Sequence, residues 1–67
     1  MVQRILRRPE VERTTGLKRS SIYAAVAAGT FPAPIPLGEK AVGWVESEIE
    51  AWQLARIRQR DAAKNAV

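Results

Sequence analysis

Between residues 10 and 31 a short helix signal, a Gly16-Leu17 turn and a second helix signal follow one another with almost no slack. That is the spacing of a helix-turn-helix, whose second helix can be offered to the DNA major groove. Pro9 suits the first helical position, where its missing N–H costs nothing. Glu10 and Glu12 follow in the first turn, where the helix dipole favours acids. Thr14-Thr15 lead to Gly16, the residue that turns most cheaply into the left-handed conformation. A helix this short must be packed against something to persist.

Leu17 is the expected buried residue of the turn. The second helix spans 18–28 and stops at Gly29; Ile22 and Val26, one turn apart, form its core stripe, and four alanines keep it helical and thin. In Phe31-Pro32-Ala33-Pro34-Ile35-Pro36 the prolines forbid helix and favour a rigid, extended path. Phe31 and Ile35 are expected to anchor that path to the core.

Ile35 to Leu37, Gly38-Glu39-Lys40-Ala41 and Val42 to Val45 read as strand, turn, strand, a hairpin over 35–45 with Lys40 at its tip. Val2 to Leu6 is an apolar-leaning lead-in compatible with a strand. The third helix spans 46–63, with Glu46, Glu48 and Glu50 at its positive end and Arg56, Arg58, Arg60 and Lys64 towards its negative end. Val45, Ile49, Trp52 and Arg56 share one face, which makes Ile49 and Trp52 core residues, and Trp44 joins them. Leu54 and Ile57 lie off that stripe. The expected fold is mainly α with a small β-hairpin, a winged helix-turn-helix forming one domain over 1–67.

Composition narrows the chemistry. Without Cys or His, disulfides, the usual zinc frameworks and Cys-His or Ser-His-Asp catalysis are excluded. Scattered carboxylates are a poor metal cage, and no cofactor cradle is visible, so no enzyme, metal or cofactor is expected. No segment is long and apolar enough to cross a bilayer, and no apolar run follows the N-terminal arginines as a secretory signal would require. The expected location is the cytoplasm, with the nucleoid. The net charge of +4 is uneven. Residues 1–40 hold seven cations against three acids, whereas residues 41–67 hold four of each. The surplus therefore sits with the helix-turn-helix and the loop after it, as phosphate binding requires; a merely soluble basic surface is the competing explanation.

Arg8-Pro9-Glu10-Val11, Thr15-Gly16-Leu17, Ser20-Ser21-Ile22-Tyr23, Gly29-Thr30-Phe31-Pro32, Ala41-Val42-Gly43-Trp44 and Glu46-Ser47-Glu48-Ile49-Glu50-Ala51-Trp52 together resemble the AlpA family of prophage regulators. The resemblance covers nearly the whole chain, about residues 5–61. It implies a MerR-like or excisionase-like winged fold that binds double-stranded DNA and regulates transcription. It also implies that Arg19, Ser20, Ser21 and Tyr23 face the DNA and that Lys40 touches the backbone or minor groove.

Those roles have physical support of different kinds. Arg19 sits where side chains reach base edges in this docking mode, and its guanidinium can take guanine O6 and N7 together; a phosphate contact or a solvated arginine is the alternative. Ser20 and Ser21 can bond phosphates or base edges, with one of the two assigned to satisfying N–H groups at the helix start. Tyr23 belongs at the edge of the buried face, its hydroxyl available to a phosphate or its ring purely structural. Lys18 stands where the family commonly has a capping hydroxyl, so it is expected to answer a phosphate near that helix end. Ala24 stands where relatives often carry a longer polar side chain, leaving few reading side chains.

A sequence-specific regulator of prophage or mobile-element type is the leading expectation. An excisionase-like factor bending attachment-site DNA is the second, and a protein-interaction module or anti-repressor that does not touch DNA is the third. Self-association on DNA through Leu54 and Ile57 is expected to supplement a single weak module, ordinary exposed apolar residues being the alternative. No small-molecule effector is expected, since no ligand domain or thiol cluster follows the third helix.

Overall fold

A computed structural model describes residues 2–65 of the chain; Met1, Ala66 and Val67 of the expected domain lie outside the described residues. In order, the elements are β1 (Ile5–Leu6), α1 (Arg8–Thr15), α2 (Arg19–Ala28), β2 (Ile35–Pro36), β3 (Val42–Val45) and α3 (Glu46–Asn65). The result is a mainly helical winged helix-turn-helix with a small antiparallel sheet of strand order β1-β3-β2.

The two turns that define the helix-turn-helix are made by glycine. Gly16 closes α1 at φ 77° and Gly29 closes α2 at φ 78°, conformations strained for any side chain. At the end of α1 the Thr15 hydroxyl donates to Val11 O at 2.7 Å and accepts the Leu17 N–H at 3.3 Å, fixing the exit of the turn. Helix α1 starts at Arg8, so Pro9 is its second residue rather than its first.

Leu6, Val11, Ile22, Phe31, Trp44 and Ile49 form the core, with Leu17, Ala25, Val26 and Trp52 packed around it. Strands β1 and β3 and all three helices thus each contribute an apolar anchor, each worth roughly 1.5–3 kcal/mol on full burial. Trp44 is wholly buried, and its Nε1–H donates to Pro32 O at 2.9 Å. Trp52 differs from the expectation by being only half-buried. Its ring meets Phe31 edge to face at 5.0 Å, and its Nε1–H donates to Thr30 O at 3.1 Å. The two indoles therefore pin the backbone on either side of Phe31, a use of their polar tips that burial alone does not foretell.

Ile35 corrects a second expectation. It is 37% exposed and does not anchor the proline-rich path, which is already held at Thr30 to Pro32. By Ile35 the chain has reached the sheet edge, where prolines are tolerated because no strand continues beyond them. The hairpin closes through Leu37 N–H to Ala41 O at 2.7 Å.

The lead-in strand β1 pairs with β3, Ile5 opposite Val45 and Leu6 opposite Trp44, and makes β3 the central strand. Gly43 is required there: a Cβ would collide with Ile5 Cγ2 and lie 3.2 Å from Leu6 O. The Glu46 N–H donates to Arg4 O at 2.8 Å, joining the start of α3 to the same lead-in segment.

Candidate nucleic-acid interface

The site begins at the start of α2. Lys18 is the N-cap residue, extended at φ −82° and ψ 161°; no side chain caps the helix and no acid lies in its first turn. The first-turn N–H groups consequently keep their partial positive charge unanswered, an arrangement suited to an anion. Ser20 and Ser21 are exposed, and neither hydroxyl makes a hydrogen bond among the described residues. The expectation that one of them satisfies the helix start is therefore not met.

Arg19 is held from one side. Its guanidinium carbon lies 5.9 Å from the centroid of the Tyr23 ring, a cation–π distance, and Tyr23 in turn meets the buried Trp44 edge to face at 6.2 Å. Tyr23 is 38% exposed. Its ring thus passes the position of the core tryptophan to the arginine, which combines the structural and the surface readings of this residue.

Arg7, Arg8, Pro9, Arg19, Tyr23, Lys40 and Val42 line one concavity. The fold brings Arg19 and Tyr23 of α2 beside Lys40 of the wing, although Lys40 is distant from them in sequence. Lys18, Ser20 and Ser21 stand outside that concavity, at the exposed helix start. Arg7 and Arg8 are additions: sequence reasoning counted them as charge but assigned them no site. The signal available was their position immediately before a proline that marks the first turn of a helix. Arg8 is partly tied, its Nε 3.2 Å from Glu12 Oε2. Arg7 is the N-cap residue of α1 and its side chain makes no capping bond.

Chemically this face offers cations and a bare helix start to an anionic backbone, with small hydroxyls beside them. The described residues contain no cluster of metal-ligating side chains, and no described helix is long and apolar enough to cross a membrane.

Fold and face together define a small winged helix-turn-helix with Arg7, Arg8, Arg19 and Lys40 gathered around one concavity beside the second helix and the wing. Over residues 4–57 the chain matches the family described as prophage CP4-57 regulatory protein (AlpA), and it belongs to that family. It is 44% identical over 64 residues to ORF88, an uncharacterized protein of Enterobacteria phage P4, covering 96% of this chain and 73% of the relative. It is also 41% identical over 61 residues to AlpA of Escherichia coli, described as a DNA-binding transcriptional activator, covering 82% of this chain and 87% of that protein.

Proposed function

We propose that the chain is a sequence-specific DNA-binding transcriptional regulator of prophage or mobile-element type. The observation that carries this reading is the gathering of Arg7, Arg8, Arg19 and Lys40 around one concavity beside an uncapped helix start. Helix α2 enters the major groove by its N-terminal end. Arg19 addresses a base edge, Ser20 and Ser21 contact bases or phosphates, and Tyr23 steadies Arg19 with its hydroxyl free for a phosphate. Lys18, Arg7 and Arg8 meet the backbone on either side, and Lys40 reaches the backbone or minor groove from the wing.

Membership of a family that includes a DNA-binding activator supports DNA as the partner. Fluorescence anisotropy on random and genomic duplexes over a salt series tests the reading. With four phosphates neutralised, the slope of log affinity against log salt is about −3.6, and Lys40→Ala reduces its magnitude by about one. Absence of binding to any duplex at low salt removes DNA as partner and leaves the protein-interaction reading. Footprints confined to attachment sites, with none at promoters, replace regulation by excision.

A further inference from the structure

The outer face of α3 sets an exposed leucine between two opposite charges. Helical spacing places Glu50, Leu54 and Arg58 in one ridge, each a turn from the next. Ile49 and Trp52, which pack inward, belong to the other side of the helix. Leu54 is 48% exposed and Ile57 45%. Glu50 and Arg58 are exposed, and neither takes part in an ion pair among the described residues.

We infer that this face pairs with the same face of a second copy of this chain, ridge beside ridge and antiparallel. The charge pattern selects both occupant and direction. A twofold axis through Leu54 brings the leucines of the two copies together and sets Glu50 of each copy against Arg58 of the other. Parallel pairing would oppose Glu50 to Glu50 and Arg58 to Arg58. Interdigitated ridges of residues four apart are the commonest helix crossing, at about −50°, and in that crossing the two ridges run side by side. Ala51, three residues before Leu54, leaves a shallow groove for the incoming leucine, and Ile57, three residues after it, covers the other flank. The contact is one helix deep, so the pair is weak and concentration-dependent in solution and strengthens when two copies share a scaffold.

The inference stands on α3 alone and is tested without DNA, so its failure leaves the DNA reading untouched. The chain contains no cysteine, which makes an introduced thiol unique. With dissolved oxygen as the oxidant, Leu54→Cys is expected to form a disulfide-linked dimer about tenfold faster than Ala55→Cys, which is exposed but turned about 100° around the same helix. Adding Glu50→Arg or Arg58→Glu to the Leu54→Cys chain makes each variant self-repelling and abolishes that advantage. Mixing the two doubly substituted chains restores it, because every cross-pair is then opposite in sign. Circular dichroism confirms that these surface variants stay folded. Equal rates for the two cysteine positions, or no recovery in the mixture, overturns the inference.

Discussion

Helices α2 and α3 begin in opposite ways. At α3, Glu46 and Glu48 lie in the positive first turn, the Glu46 N–H is bonded to Arg4 O, and the Glu46 carboxylate pairs with Arg4 Nε at 3.2 Å. At α2 there is no acid, no capping bond, and a lysine at the N-cap. The start of α3 is arranged for stability within the chain. The start of α2 leaves its donors and its dipole unanswered, which opposes folding by a small amount and favours an external anion. A domain tolerates such a start when its core lies elsewhere, and here Trp44, Ile22, Ile49 and Val11 are the largest wholly buried side chains.

The comparison can be broken most severely at the core. Trp44→Ala removes the buried ring, its bond to Pro32 O and the support of Tyr23, and should destabilise by about 3–5 kcal/mol, read as loss of the cooperative melting transition. Next in size, Arg19→Ala should weaken binding to the preferred duplex by about 1–3 kcal/mol, with thermal stability changed far less. A matching fall in stability would mean that Arg19 supports the fold rather than the ligand.

Lys18→Ser sharpens the contrast directly. Restoring a capping hydroxyl should raise stability by about 1 kcal/mol, seen as a higher Tm, while DNA affinity falls. Unchanged affinity would separate the uncapped start from phosphate binding. The smallest effect belongs to the other helix: Glu46→Gln should lower stability by no more than about 0.3–1 kcal/mol, because its ion pair is exposed to salt and water. Denaturant titration of that variant reads this loss, and fluorescence anisotropy should show its DNA binding unchanged.

Much of this architecture was legible because it is local. Gly16 and Gly29 marked the helix ends through backbone sterics that act within a few residues. The helical spacing of Ile22 with Val26, and of Ile49 with Val45 and Trp52, pointed Ile22 and Ile49 inward, and both are buried. Apart from the missing Ser20 or Ser21 bond at the start of α2 and the one-residue shift of Pro9, the failures concern partners distant along the chain. Nothing near Ile5 announces that it lies opposite Val45, and nothing near Ile35 announces that Thr30 to Pro32 are already pinned by two indoles. Arg7 and Arg8 looked like undirected charge until the wing brought Lys40 beside them.

The sequence by itself determined the order of helices, turn and hairpin, the placement of the surplus charge and the lysine at the start of α2, because propensity, periodicity and charge reside in neighbouring residues. Only the tertiary structure decided that β1 completes the sheet around Gly43, that Trp52 stays half-exposed, and that Arg7, Arg8, Arg19 and Lys40 share one face. Those outcomes depend on which distant surfaces exclude water together, and that is settled when the whole chain packs.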